Sequence, residues 1–328
     1  MRVRDWRQED DAIVATLYAD EIARWRDSLA WDTRASWRIV EAGRRSGTVT
    51  GVVADDGAGA PAGWCFALLQ DTTFHVGGFV ARSVDATAAL IAALAGSAHG
   101  RRARRWIWFG WFDAPGLPEA ISAHGGYPAR YVYLRRRLCG LDDPAAPDAR
   151  ATAPAAVRGW CAADARLVPD LLASAYVTED ACRLFAPSGR IEEWREYVAL
   201  LVNAAGCGVF DPGLSLVAGA GSGELDAAAI VTRIAPATAH LAQLAVRTGA
   251  QARGLGRVLL ARAEARAAAA GCTELTLLVH EGNTRARRLY ARAGFEERAA
   301  FVSAAWDADQ PRTSSSDALP TGGVSTRR

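Results

Sequence analysis

The sequence contains no lysine: all 38 of its basic residues are arginine. A Walker-type phosphate loop needs a lysine, so that class is excluded. With alanine and glycine so abundant, the arginine bias reads as the codon usage of a GC-rich genome. No run of 18 apolar residues occurs, which excludes a transmembrane helix. The opening "MRVRDWRQEDD" is charged and lacks an apolar h-region, so no signal peptide is expected. The six cysteines, at 65, 139, 161, 182, 207 and 272, include no C-x-x-C pair. They read as reduced thiols of a cytoplasmic protein, not as a disulfide or zinc framework, and no metal is expected. The net charge of +2 is too small for a dedicated nucleic-acid binder. No membrane partner is expected, and a homodimer is left open.

What is present is length and apolar content. The chain has 328 residues, half of them hydrophobic, enough for two domains with real cores. It also carries an internal echo. "VRDWRQEDDAIV" (3–14) and "VRGWCAADARLV" (157–168) share Val, Arg, Trp, Asp and Val in register. Each reads as a short strand followed by a helix capped near Asp10 or Asp164. "ISAHGGY" (121–127) and "LYARAGF" (289–295) echo again, in the same order. Two copies of one fold explain both pairs. The Pro-, Ala- and Asp-rich stretch at 141–154 reads as a linker between domains at 1–140 and 155–306. Residues 307–328 are too polar to bury a core and read as a disordered tail.

In the second copy the pattern predicts a strand at 156–160 and helices at 164–176 and 189–204. Two strands follow around a Gly-Ser-Gly turn at 214–234. Then come a strand at 240–246, a helix at 254–270, a strand at 274–280, a helix at 284–293 and a final strand near 299–305. Antiparallel strands followed by β-α-β-α make a mixed sheet flanked by helices.

Gly254 and Gly256 open an alanine-rich helix in "QARGLGRVLL". Glycine is about 1 kcal/mol worse than alanine in a helix, so two at its mouth need a reason. The first helical turn offers unpartnered N–H groups and the positive end of the macrodipole. A pyrophosphate reaches them only if no side chain intervenes. Arg253 and Arg257 add charge at the same place. A tight strand-to-helix turn explains the glycines equally well on their own. A dinucleotide fingerprint would need glycine where Leu259 stands. Downstream, Asn283 suits a helix cap, Ala286, Leu289, Tyr290 and Ala293 share one face, and Gly294 suits a helix end.

Together, "AVRTGAQARGLGRVLL" and "NTRARRLYARAGF" resemble motifs A and B of the GNAT superfamily of N-acetyltransferases, in the family's order and spacing. The resemblance covers about 55 residues directly. The implied fold class is α/β, an α+β mixed sheet, as two tandem acyl-CoA N-acyltransferase (GNAT) folds. The resemblance implies acetyl-CoA as co-substrate, lying between splayed strands 240–246 and 274–280. The backbone of Leu244, Ala245 and Val246 would pair with the pantetheine arm. Residues Gln251, Ala252, Arg253, Gly254, Leu255, Gly256 and Arg257 would hold the pyrophosphate. Asn283 would lie near the pantetheine and Tyr290 near the sulfur.

The implied reaction is acetyl transfer to a primary amine by direct attack in a ternary complex. A non-catalytic acyl-CoA-binding module is the alternative. A tyrosine holds its proton at neutral pH and can give it to the departing thiolate, a role for Tyr290. Histone-type members place a glutamate base six residues before the valine ending this strand; here that count reaches His240. His280 and Glu281 are rivals. Glu179, Asp180, Glu192 and Glu193 would suit a cationic acceptor. In the first copy, strand 74–83 lacks the glycine turn, Ser122 replaces Tyr290 and Pro115 replaces Asn283. That copy reads as degenerate. Its "RRARRWIWFGWF" (101–112) reads as a strand covered on both faces rather than a nucleic-acid surface.

Overall fold

The structure is a computed structural model and describes residues 1–57, 60–110, 112–138, 157–176, 184–203, 207–219 and 223–307. The expected linker and all of the expected tail except Asp307 lie outside these residues. Among the described residues, no helix is long and apolar enough to cross a membrane.

The chain runs twice through nearly the same succession of elements, with one short helix added in the first pass and one short strand in the second. The first pass is β1 (Arg2–Asp5), α1 (Asp11–Leu29), α2 (Arg34–Ser46), β2 (Val49–Asp55), β3 (Pro61–Gln70) and β4 (Thr73–Ala81). It continues with α3 (Val84–Gly96), α4 (Ala98–Arg102), β5 (Arg105–Phe109), α5 (Leu117–Ala123) and β6 (Tyr127–Arg137). The second is β7 (Val157–Gly159), α6 (Val168–Ala175), α7 (Ile191–Asn203), β8 (Val209–Phe210), β9 (Leu216–Ala218) and β10 (Ala227–Ala235). It ends with β11 (Thr238–Val246), α8 (Leu255–Ala269), β12 (Glu274–His280), α9 (Thr284–Arg292) and β13 (Glu296–Asp307).

Local chemistry explains many of the boundaries. Asp10 caps α1 through Ala12 N at 2.7 Å. Asp164 does not cap its helix as expected. It is fully buried, grips Arg158 with both oxygens at 2.7 Å and accepts from Cys161 N, so a 3-10 turn precedes α6. In α7 the apolar residues Ile191, Trp194, Val198 and Leu201 share one face; the last three are buried and Ile191 is half-buried. β5 buries Trp106 and Trp108 on one face, while Ile107 and Phe109 on the other are half-buried, so the expected cover on both faces is complete on one side only.

Among the described residues the strands form one 13-stranded sheet in the order β1-β2-β3-β4-β5-β13-β6-β12-β11-β10-β9-β7, with β8 pairing β10. The final strands are exchanged. β13, the last strand of the second copy, inserts between β5 and β6 of the first. β6, the last of the first copy, pairs with β12 of the second. The two copies therefore share one continuous ladder. Alternate residues point to opposite faces. One face packs against α3, α5, α8 and α9, around Leu90, Ile121, Leu259 and Tyr290. The other packs against α1, α2, α6 and α7, around Trp37, Leu171 and Trp194. Between the latter helices a third cluster, with Trp31, Tyr131, Tyr133 and Leu184, joins the halves.

Candidate functional site

β11 pairs in parallel with β12 from Thr238 opposite Glu274 to Leu241 opposite Leu277, and then the two strands part. On its other side β11 stays hydrogen-bonded to β10 as far as Val246. A register shift in that ladder leaves Ala242 as an extra residue between Leu241 and Gln243. The bulge bends β11 away from β12. From Ala242 to Val246 one edge of the strand has no ladder partner among the described residues, and it opens into a cavity of about 1610 Å³.

At the far end of β11 the chain turns into α8. Ala252 has φ 63° and Gly254 φ 81°, both left-handed, and no side chain caps the helix. Left-handed residues of this kind turn successive N–H groups toward one concavity at the positive end of a helix. An added Cβ at Gly254 would meet nothing within 4 Å, so the concavity is open. The turn is braced from behind. Gln251 Nε2 donates to Val246 O at 3.1 Å, and Arg285 donates to Gln251 Oε1. Gln251, Ala252, Gly254, Leu255, Gly256, Arg257 and Leu244 through Val246 line the cavity; Arg253 does not.

Asn283 caps α9 through Ala286 N at 3.0 Å and lines the same cavity. Tyr290 is 6% exposed and also lines it. Burial, with a smaller contribution from Tyr176, pushes its pKa further above the ordinary tyrosine value, so it holds its proton. Its hydroxyl forms no hydrogen bond among the described residues.

His240 lies at the paired end of β11 and is 2% exposed. Its Nδ1 is 2.9 Å from Thr276 Oγ1. Thr276 Oγ1 also lies 3.3 Å from Ala239 O, and the ring's tautomer decides whether it or Nδ1 donates in the shorter contact. Trp31 and Tyr133 enclose the ring, at centroid distances of 5.5 and 6.3 Å. Burial draws its pKa down from 6.5 to about 4. The imidazole is neutral at pH 7, but its conjugate acid is strong and it is a weak base. Of the rivals, His280 lines the cavity and accepts from Gly282 N at 3.2 Å. Glu281 is half-exposed in a surface ion pair with Arg130.

A group the sequence pattern does not single out stands beside Tyr290. Tyr176 OH donates to Gln243 Oε1 at 2.6 Å, and Gln243 Nε2 donates to Tyr197 OH at 2.6 Å. Burial pushes Tyr176 up to about 12 and Tyr197 up as well. The available signal was Gln243 itself, one polar residue inside "HLAQLAV". Of the acidic residues expected to attract a cationic acceptor, Glu193 is buried but committed, to Arg105 at 2.6 Å and Ser188 N at 2.8 Å. Glu192 is exposed beside Arg195. Glu179 and Asp180 lie outside the described residues.

The first copy preserves this frame and fills it. β4 and β5 pair from Thr73 opposite Arg105 to Val76 opposite Trp108, and β3–β4 carries the same shift, leaving Gly77 extra. His75 thus stands where His240 does, but Ile107 replaces Thr276. Gly78 replaces Gln243, with the Phe66 ring against it. Phe79 and Trp108 pack at 4.7 Å where the strands part. Ser83 caps α3 through Ala86 N, and Asp85 adds negative charge to its first turn.

Residues 174–295 match the model of the acetyltransferase (GNAT) family. No curated relative matches the chain. Among solved structures, a GCN5-related N-acetyltransferase from Sphaerobacter thermophilus is similar at 18% identity and TM-score 0.50, over 79% of this chain and 80% of that one. A protein from Drosophila is similar at 16% identity and TM-score 0.57, over 94% and 99%. A glucosamine N-acetyltransferase region of a fungal multi-domain β-N-acetylglucosaminidase is similar at 15% identity and TM-score 0.56, over 93% of this chain and 38% of that one. These likenesses extend the shared fold over both copies. The family match thus falls within the second copy, at residues 174–295.

Proposed function

We propose that the second copy transfers the acetyl group of acetyl-CoA to a primary amine by direct attack in a ternary complex. The observation that carries this reading is one continuous cavity. It joins the uncapped mouth of α8, the unladdered edge of β11 and the buried hydroxyl of Tyr290. A pyrophosphate fits the concavity formed by Gln251 to Arg257, and the pantetheine amides fit the open edge from Ala242 to Val246. The cavity's volume suits a long, thin ligand together with an acceptor.

The chemistry follows from the bonds exchanged. The amine attacks as the neutral base, its nitrogen forming the C–N bond to the acetyl carbonyl carbon. A β11 backbone N–H donates to the oxygen that gains charge. The C–S bond then breaks, and Tyr290 gives its proton to the sulfur. The surplus proton on nitrogen returns to the tyrosinate through cavity water, so Tyr290 ends as it began. His240, buried and weakly basic, serves as a hydrogen-bonding group of the cavity wall. Its part as a general base is the less favoured version of the scheme.

The test is release of free CoA thiol from acetyl-CoA in the presence of a panel of primary amines, with the acetylated product identified by mass. Turnover with any amine supports the reading. Tight acetyl-CoA binding without turnover would leave a non-catalytic acyl-CoA-binding module.

A further inference from the structure

The acceptor side of the cavity has its own chemistry, and it joins the two copies. Tyr176, Gln243 and Tyr197 form a hydrogen-bonded chain of fixed polarity. Tyr176 spends its only O–H on Gln243, so its oxygen is left with a lone pair. Tyr197 receives a Gln243 N–H, so its own O–H is left to donate. Beyond this chain the lining is rings. Phe185 lies 4.9 Å from Tyr197 and 6.3 Å from Tyr176. On its other side it meets Phe109 of the first copy at 6.4 Å. Trp31, also of the first copy, lies against His240. All of these side chains line the cavity that holds Tyr290.

Charge narrows the acceptor further. Glu193, the buried carboxylate among the lining residues, is already neutralised by Arg105. Glu196 and Asp71 are exposed. Of the arginines that line the cavity, Arg105 pairs with Glu193 and Asp307, Arg190 pairs with Glu193, and Arg257 and Arg285 stand at the mouth of α8. A molecule with several ammonium groups would lose water there without gaining an unpaired buried anion. One amine on an uncharged apolar body loses far less. A desolvated nitrogen is also more readily neutral, the form that attacks.

Resting on the acetyltransferase reading above, we propose that the acceptor is a primary amine on an apolar, ring-bearing body. Its nitrogen is set by the Tyr176–Gln243–Tyr197 chain, and its body lies between Phe185 and the first-copy rings Trp31 and Phe109. In the transfer, one amine N–H donates to the Tyr176 oxygen, which aims the nitrogen lone pair at the acetyl carbon. C–N bond formation and C–S bond cleavage then proceed as above. The first copy, without an anion site of its own, supplies half the acceptor wall. Tyr176, Gln243 and Tyr197 are positioning residues, and Trp31 and Phe109 determine specificity.

The experiment compares 2-phenylethylamine with spermidine as acceptors for the full chain, alongside acetyl-CoA affinity by calorimetry. The expected kcat/KM for 2-phenylethylamine exceeds that for spermidine by about tenfold or more, the worth of burying one ring. Trp31→Ala and Phe109→Ala should each raise KM for 2-phenylethylamine several-fold while acetyl-CoA affinity stays constant. Gln243→Leu, close in volume, should lower kcat as well, because nothing then orients Tyr176. A purely structural role would move melting temperature and acetyl-CoA affinity together and leave the ratio of the two acceptors unchanged. Transfer to spermidine in preference to 2-phenylethylamine overturns the inference and leaves the acetyltransferase reading standing. An unchanged acceptor ratio in Trp31→Ala and Phe109→Ala does the same. Transfer to neither these two nor any other amine overturns both.

Discussion

Trp106 of β5 and Trp306 of β13 sit directly opposite one another, their rings stacked at 5.5 Å with planes 15° apart. One belongs to the first copy of the fold and the other to the last strand of the second. Their contact expresses the strand exchange that joins the two halves. Arg136 of β6 reaches Glu264 of α8 at 2.7 Å, and Arg135 reaches Glu274 of β12 at 3.1 Å, across the same boundary.

Separating the halves should therefore fail. A fragment of residues 155–328 leaves β12 without β6, and leaves β13 without either neighbour. Its apolar faces and its unpaired N–H and C=O groups would be exposed. The expected outcome is aggregation, or absence of a cooperative melt, for either fragment alone. Co-expression with residues 1–154 should restore a soluble pair that binds acetyl-CoA. A monomeric 155–328 fragment that melts cooperatively would show that the exchange is dispensable.

The parts of the site legible in the sequence are local ones. Asn283 capping Ala286, Gly294 ending α9 at φ 82° and the glycine-opened mouth of α8 depend on neighbours within a few residues. The exchange was not legible, because β6 and β13 carry similar apolar patterns and neither pattern states its partner. The Tyr176–Gln243–Tyr197 chain closes over 67 and 46 residues. Only the fold brings those side chains together. His240 was found by counting along a strand, and counting carries no information about burial. The ring lies under Trp31, from the other half of the chain.

Gly254→Val tests the anion site. Valine in the left-handed region is strained by about 1–3 kcal/mol, and its methyls would enter the concavity. Acetyl-CoA affinity should fall by about tenfold or more, with Gly254→Ala intermediate. S-acetylpantetheine, which lacks the pyrophosphate, separates the two effects. Its turnover should be nearly the same in both variants as in the parent protein. Equal losses for acetyl-CoA and acetylpantetheine would mean that strain alone is responsible.

Tyr290→Phe removes one hydroxyl from a buried side chain with no hydrogen bond to lose. Stability should change little. kcat should drop by roughly 10²-fold, the usual worth of a general acid, with acetyl-CoA affinity unaltered. Turnover at the parental rate near neutral pH would make Tyr290 a packing residue.

His240 predicts a pH dependence of stability. Above pH 6.5 the ring is neutral in both folded and unfolded chains and contributes nothing. Between 6.5 and about 4 the unfolded chain takes up a proton that the buried ring refuses. Stability therefore falls as the pH drops through that window. Burial lowers the pKa of His75 too, so it adds to the decline. Melting temperatures from pH 7 to 4.5 should fall, and His240→Gln should flatten part of the slope. The ring should produce no activity limb at 6.5. A limb there that disappears in His240→Gln would show that the ring is hydrated during turnover.

Two copies of one fold suggest two cofactor sites, yet only one copy is equipped. At α8 the mouth is open, flanked by Ala252 and Gly254 in left-handed conformations. At α3 the corresponding N–H of Ala86 already has an acceptor, the Ser83 hydroxyl at 3.2 Å, and Asp85 would repel a phosphate. The strands part in both copies after four paired residues. In the first copy Phe79 lies against Trp108 where they do so, and a pantetheine arm would have to displace one of the two rings. Calorimetry should thus give one equivalent of acetyl-CoA per chain. Ser83→Gly with Asp85→Ala should not create a second site, because the rings remain. Two equivalents in the unaltered protein would mean that Phe79 or Trp108 swings aside, and the first copy would then be a binding domain in its own right.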